Sequence, residues 1–191
     1  MDNIKIILAS KSPRRQELIK ELGFPFEIRT KEVDEIYPSE LSPYDVAEYL
    51  AKLKSEPIVS SLSDGDVLLT SDTVVLNNGH ILGKPLNRNE AVEMIKSLSG
   101  GSHEVITGVQ LKSVRKTISF SSVTQVYFSE LTDDEINFYV DKYKPFDKAG
   151  SYGIQEWIGY IGVSKIEGCY YNVMGLPIHD VYQSLKQNFL G

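Results

Sequence analysis

The sequence predicts an α/β protein with a mixed β-sheet, flanking helices and a second lobe. Strand patterns alternate with helix patterns through the first hundred residues, which is typical of sheets with helical crossovers. Two long β-patterned segments follow at 104–113 and 117–128, and the three residues between them indicate an antiparallel hairpin. A chain of 191 residues can bury the core of one domain or of a compact two-lobed one. We therefore expect one domain over residues 1–191.

The remaining elements follow from caps, turns and hydrophobic periodicity. An apolar run at 6–9 predicts a buried strand, and Ser12 with Pro13 marks the N-cap and first position of a helix. Thr132 to Glu135 is a capping box for a helix that ends near residue 142. The other predicted elements are a strand at 26–29, a helix at 43–56, a central strand or strand pair at 67–76 that turns back through 81–82, a helix at 89–97, a hairpin of 157–166 with 170–173, and a closing helix at 177–189.

Arg14 and Arg15 occupy the first turn of the first helix, which is an unfavourable place for cations. Together with the turn amides and the Ser10 and Ser12 hydroxyls they describe an anion receptor, and phosphate suits such forked donors best. Arg15 continues the apolar stripe of the helix and should point toward the protein body. The alternative interpretation is a pair of solvated arginines at a helix start.

Asp72 interrupts a run of apolar and β-branched residues at 67–76. A carboxylate is costly to bury unless a metal, a cation or several donors hold it, so Asp72 is a functional candidate on physical grounds. Lys84 lies between Gly83 and Pro85, which are stiff neighbours that can aim a cation. Lys54 near the end of its helix also has a purely structural explanation, because the dipole favours cations there.

Composition excludes several classes of function. Hydrophobic content is 41%, charged content 24%, and no apolar run reaches the length of a membrane span. The single cysteine, Cys169, excludes an internal disulfide, and the N-terminus lacks the pattern of a signal peptide, so we expect a cytoplasmic protein. A net charge of −6 argues against non-specific binding to nucleic acid or to an acidic membrane.

Several separated motifs lie along the chain: LASKSPRRQEL at 8–18, EVDE at 32–35, LAKLK at 50–54, SDTVV at 71–75, GKP at 83–85, LSG and SH at 98–103, TGV at 107–109, DKAGSYGIQ at 147–155 and GLP at 175–177. Together they resemble the Maf family of nucleoside triphosphate pyrophosphatases. The resemblance covers essentially the whole chain in motif order. It implies an elongated mixed sheet with a two-lobed cleft, similar to the inosine triphosphatase (Ham1) class. It also implies hydrolysis of a nucleoside triphosphate to the monophosphate and pyrophosphate with a divalent metal, Mg²⁺ or Mn²⁺.

The same resemblance assigns roles to individual residues. Asp72 resembles the catalytic acid/base of the family and Glu35 a further pocket residue, and we expect Glu35 and Asp72 to hold the metal. The residues that resemble substrate-binding positions are Ser10, Arg14, Arg15, Lys54, Thr73, Lys84 and Gln155. Arg14, Thr73 and Gln155 match the branch that acts on dTTP and UTP rather than the branch that acts on methylated guanine nucleotides. The resemblance further suggests a homodimer.

One departure and two alternatives remain open at this point. Many relatives end the motif at 147–155, here called the late motif, with GIQG, whereas this chain continues as Gln155-Glu156-Trp157. The bulkier pair could narrow or cap the base pocket. The main non-enzymatic alternative is a nucleotide-binding regulator of cell division or septum formation. The alternative within enzymes is a house-cleaning pyrophosphatase for modified pyrimidine nucleotides.

Overall fold

The computed structural model describes residues 4–190. The strands are β1 (Lys5–Leu8), β2 (Phe26–Ile28), β3 (Asp66–Asn77), β4 (His80–Leu82), β5 (Ser102–Lys112), β6 (Thr117–Phe128) and β7 (Val163–Glu167). The helices are α1 (Pro13–Glu21), α2 (Pro43–Val59), α3 (Arg88–Leu98), α4 (Asp133–Tyr143), α5 (Trp157–Gly162), α6 (Tyr170–Val173) and α7 (Ile178–Asn188), with a short 3₁₀ turn at Ala149–Ser151. None of the helices within 4–190 is both long and apolar enough to cross a bilayer.

The strands form a mixed sheet in the order β2-β1-β3-β5-β6-β7, and β4 pairs with β3 off this path. β1 is parallel to both β2 and β3, whereas the β3–β4 and β6–β7 pairs are antiparallel. Parallel neighbours need crossover connections, which α1 and α2 supply in the first part of the chain. The predicted mixed α/β sheet with flanking helices is confirmed.

The chain divides into two compact units. Unit 1 contains the described residues of 1–72, 107–122 and 175–191, and unit 2 contains residues 73–106 and 123–174. β3, β5 and β6 each contribute residues to both units.

In unit 1, α2 approaches β5 at a glycine. A Cβ placed on Gly108 would lie 2.2 Å from the backbone carbon of Ala47, a separation that no side chain tolerates. The Thr70 hydroxyl of β3 donates a hydrogen bond to the Ala51 carbonyl of α2 at 2.7 Å. These two contacts fix α2, and with it Lys54, against the strands of unit 1.

In unit 2, side chains from α3, α4 and the sheet form one apolar core that includes Ile95, Val126, Ile136 and Tyr139. The predicted capping box opens α4: Thr132 Oγ1 accepts the Glu135 N–H at 3.3 Å, and Glu135 Oε2 accepts the Thr132 N–H at 2.7 Å. This local signal placed the start of α4 correctly because both partners lie within four residues of each other.

The predicted hairpin of 157–166 with 170–173 is wrong. Residues 157–162 form α5, 170–173 form α6, and only β7 remains as a strand, paired with β6. Gly159 donates its N–H to the Glu156 carbonyl at 2.9 Å, and its missing Cβ would otherwise lie 1.8 Å from the Ile154 carbonyl oxygen. Burial of Ile158 in the unit 2 core outweighs the strand preference of this aromatic and β-branched segment.

Candidate functional site

Arg15 points into unit 1, as the stripe on α1 predicts. Its Nε donates to the Gly175 carbonyl at 2.7 Å, and its Nη1 donates to the Ser71 carbonyl at 2.9 Å. Burial lowers the pKa of Arg15, and the charge of Asp72 acts in the opposite direction. The guanidinium therefore ties α1 to the residue that precedes Asp72 and to the GLP motif.

Asp72 shares one cation with Glu35. The Lys54 ammonium of α2 donates to Asp72 Oδ1 in a short contact and lies 2.9 Å from Glu35 Oε1. The Asp72 and Lys54 side chains are 12% and 17% exposed, whereas that of Glu35 is 44% exposed. A largely buried carboxylate with a cation and a second carboxylate close by is typical of a binding or catalytic site for charged groups.

Ser10 and Arg14 also belong to unit 1. Ser10 Oγ accepts the N–H of Ser12 at 3.2 Å, so the hydroxyl of Ser10, rather than that of Ser12, holds the start of α1. Ser12 has the N-cap position as predicted, but its side chain makes no capping hydrogen bond. Arg14 is partly buried in the first turn of α1. Unit 1 therefore contains six predicted site residues: Ser10, Arg14, Arg15, Glu35, Lys54 and Asp72.

The other three predicted residues belong to unit 2. Thr73 follows Asp72 directly on β3, and Lys84 is exposed in the loop after β4. The Gly83 carbonyl in that loop accepts the Gly150 N–H at 3.1 Å, which joins the loop of Lys84 to the late motif. The amide oxygen of Gln155 is buried and has no hydrogen-bond partner among the described residues. An unpaired buried acceptor is costly unless a ligand donates to it.

Two side chains of α4 that the sequence did not single out, Tyr139 and Phe138, contact the late motif and the residues that follow it. Tyr139 of α4 contacts both Gly153 and Glu156, and Lys148 contacts Glu156 from the other side. Trp157 packs edge-on against Phe138 with ring centroids 4.8 Å apart. The side chains of Glu156 and Trp157 are therefore both engaged within unit 2, and an effect of this pair on the base pocket stays a prediction. In the sequence, only the position of Glu156 next to Gln155 could have indicated that these contacts matter for the late motif.

His103 takes a structural role. Its ring is buried, its Nε2 lies 2.7 Å from the Tyr152 hydroxyl, and Phe128 packs edge-on against it. Burial lowers the pKa of His103 to about 4, so the ring is neutral at neutral pH. A neutral imidazole within an aromatic cluster of unit 2 agrees with a structural rather than a catalytic interpretation of this residue.

A divalent metal fits the residues of unit 1. Asp72 and Glu35 present carboxylate oxygens to one point, the Lys54 ammonium. Among residues 4–190 no group of three or more His, Cys, Asp or Glu side chains is arranged to hold a metal. Mg²⁺ commonly uses one or two carboxylates and completes its coordination with water and substrate phosphates, which two converging carboxylates satisfy.

The chain resembles known proteins over nearly its whole length. Residues 5–188 match the Maf family, described as Maf-like protein. A dTTP/UTP pyrophosphatase of Bacteroides thetaiotaomicron is 50% identical over 188 residues, which cover 98% of this chain and 97% of the relative. A dTTP/UTP pyrophosphatase of Christiangramia forsetii is 51% identical over 189 residues, with 98% and 95% covered.

Among solved structures, the Ham1 protein of Staphylococcus aureus matches with a TM-score of 0.51 at 15% identity, covering 94% of this chain and 99% of that one. At this identity the likeness concerns the fold alone, and it confirms the predicted Ham1-type α/β fold. From the family match and the curated relatives together, the chain belongs to the Maf family.

Proposed function

We propose that this chain hydrolyses dTTP and UTP to the nucleoside monophosphate and pyrophosphate. The identity of 50% and 51%, over nearly the full length, to two dTTP/UTP pyrophosphatases carries this proposal. The charges in unit 1 support it independently, because a triphosphate is a polyanion that must be neutralised before water can attack a phosphorus.

Two arginines and a lysine of unit 1 supply positive charge in this proposal. Arg14 lies in the first turn of α1, where a bound phosphate would also meet the positive end of the helix dipole. Lys54 holds Asp72 and Glu35 in the structure and has three donors to share with phosphate oxygens. Arg15 adds charge and fixes the Ser71 carbonyl, so part of its contribution is to position the segment that carries Asp72.

Asp72 is the proposed general base. Its carboxylate is largely buried, faces a cation and cannot move freely, since β3 and Lys54 hold it. In this role it orients the attacking water and accepts its proton, which contributes roughly 10²–10⁴ in rate for a general base. Asp72 and Glu35 would hold Mg²⁺ or Mn²⁺, which when bound neutralises phosphate charge and lowers the pKa of a coordinated water.

Gln155 and Thr73 are the proposed base-recognition residues, and Lys84 is a proposed phosphate-binding residue. Uracil and thymine carry an N–H at N3 between two carbonyl oxygens, whereas cytosine carries an acceptor there. The unpaired amide oxygen of Gln155 suits an N–H donor of this kind.

A substrate panel tests the proposal. Purified protein is incubated with dTTP, UTP, CTP, a modified pyrimidine triphosphate and methylated GTP, with Mg²⁺, with Mn²⁺ or with EDTA, and monophosphate and pyrophosphate are quantified. We expect turnover of dTTP and UTP that EDTA abolishes. Binding of these nucleotides without release of pyrophosphate would overturn the proposal and favour a nucleotide sensor, while strong preference for the modified pyrimidine would favour house-cleaning.

A further inference from the structure

Tyr139 joins Gly153 of the late motif to Glu156, the residue that follows the motif, through one hydroxyl. The hydroxyl donates to Glu156 Oε2 in a short contact and accepts the N–H of Gly153 at 3.0 Å. The Tyr139 residue is fully buried on α4. Burial, and secondarily the hydrogen bond to Glu156, raise the pKa of Tyr139, so the hydroxyl stays protonated and can keep both partners.

Lys148 holds the same carboxylate from the opposite side. Its ammonium lies 3.2 Å from Glu156 Oε1 and 2.8 Å from Asp147 Oδ1. The Lys148 side chain is 8% exposed and that of Glu156 is 20% exposed, so this pair is screened little by solvent. Both oxygens of Glu156 are therefore engaged, each by a group from a different part of unit 2.

Gln155 lies between the points that these contacts fix. Its backbone carbonyl accepts the Tyr160 hydroxyl at 2.9 Å, and the Glu156 N–H donates to the Gly153 carbonyl at 3.0 Å. A Cβ on Gly153 would lie 2.9 Å from Glu156 Cδ and 3.0 Å from Gln155 Nε2, so the two side chains pack directly against this glycine. The segment 153–156 is thus held on both sides of Gln155, while the amide oxygen of Gln155 itself stays without a partner within the described residues.

We propose that Tyr139, Glu156 and Lys148 are positioning residues that fix Gln155 and thereby set the preference for uracil and thymine over cytosine. This inference rests on the proposed function. A freely moving glutamine can turn its amide and pair with either type of base edge, because it carries a donor and an acceptor. Discrimination at N3 therefore requires a fixed glutamine, and displacement of a recognition group by about 1 Å can cost as much as 10²-fold.

The ratio of kcat/KM for UTP to that for CTP is the readout. We expect Tyr139→Phe and Glu156→Ala to lower this ratio by about 10- to 100-fold. Glu156→Gln, which keeps an acceptor for the Tyr139 hydroxyl, should lower the ratio less than Glu156→Ala. Tyr152→Phe is the matched control: it also removes a buried hydroxyl in unit 2, but one that contacts His103, and it should leave the ratio unchanged.

Each outcome has a defined meaning. If the wild-type protein hydrolyses neither UTP nor dTTP, the proposed function fails. If the wild type hydrolyses UTP but folded variants keep its UTP-to-CTP ratio, or lose both activities in equal proportion, the positioning role is overturned and the contacts only stabilise unit 2. A wild type that does not distinguish UTP from CTP also overturns it. Should Tyr139→Phe fail to fold by circular dichroism, the partly exposed Glu156 still provides the test.

Discussion

Replacing Arg15 by lysine tests whether this side chain acts by holding the protein together at the site. The guanidinium reaches two backbone carbonyls at once, those of Gly175 and Ser71, at 2.7 and 2.9 Å. A lysine keeps the positive charge, but it presents its three donors from one nitrogen rather than as a planar fork, so it cannot reproduce both carbonyl contacts in their present geometry. The variant should therefore lose at least one hydrogen bond to a charged donor.

Hydrogen bonds to charged groups contribute about 1.5–3 kcal/mol, so Arg15→Lys should lower the free energy of unfolding by about 2 kcal/mol. For a chain of this size, 1 kcal/mol corresponds to roughly 2–4 °C, and the melting temperature should fall by roughly 4–8 °C. We also expect kcat to fall more than KM rises, because Ser71 directly precedes Asp72.

Differential scanning fluorimetry and steady-state kinetics measure both effects. Arg115→Lys is the control, because Arg115 undergoes the same chemical change on a side chain that is 82% exposed and lies 3.5 Å from Asp64. It should melt within about 1 °C of the wild type, as exposed ion pairs contribute little. If Arg15→Lys also melted there and kept its kcat, the positioning role of Arg15 would be refuted.

Three further predictions concern packing, pH and metal. Gly108→Ala would press a methyl into the backbone of α2, and urea unfolding should show a loss of about 3 kcal/mol or more, against little change for Gly83→Ala, which has open space around it. Below pH 6.5 the histidine of the unfolded chain binds a proton, whereas the buried His103 of the folded protein stays neutral down to about pH 4. The free energy of unfolding should therefore fall by about 3 kcal/mol between pH 6.5 and pH 4, and a His103→Gln variant with the same pH slope would contradict this. Lys54→Met frees both carboxylates that contact Lys54. Mn²⁺ should therefore bind this variant several-fold more tightly than it binds the wild type in a titration without nucleotide, whereas unchanged affinity would argue against a metal at this place.

Local signals in the sequence predicted most of the fold. Pro13 marked the first residue of α1, and the Thr132 capping box marked the start of α4, because caps involve only neighbouring residues. The segment at 157–166 was misassigned because its strand propensity is local, whereas the burial of Ile158 and the fit of Gly159 against Ile154 depend on the tertiary structure.

The candidate site likewise contains residues that could be predicted from the sequence and residues that could not. Asp72 and Arg15 stood out because a buried carboxylate and a cation on an apolar stripe are costly wherever they occur. No sequence signal connects Arg15 with Gly175, which lies 160 residues away, or Tyr139 with Glu156. Such pairs meet only after folding, so the residues that hold a site are harder to predict than those that carry its charge.

The roles assigned to Asp72 are tested most directly by Asp72→Asn, measured as pyrophosphate release from dTTP with Mg²⁺. The exchange keeps the shape of the side chain but removes the charge and the proton acceptor, so we expect an unchanged fold, retained triphosphate binding and a fall in kcat of about 10²–10⁴.

Asp66→Asn provides the matched control on the same strand. Asp66 is also buried, but it accepts the Ser63 N–H at 3.0 Å and lies 3.7 Å from the Lys5 ammonium, and it has no part in the proposed chemistry. We predict that Asp66→Asn hydrolyses dTTP at close to the wild-type rate while Asp72→Asn does not. Wild-type turnover by Asp72→Asn would contradict the account.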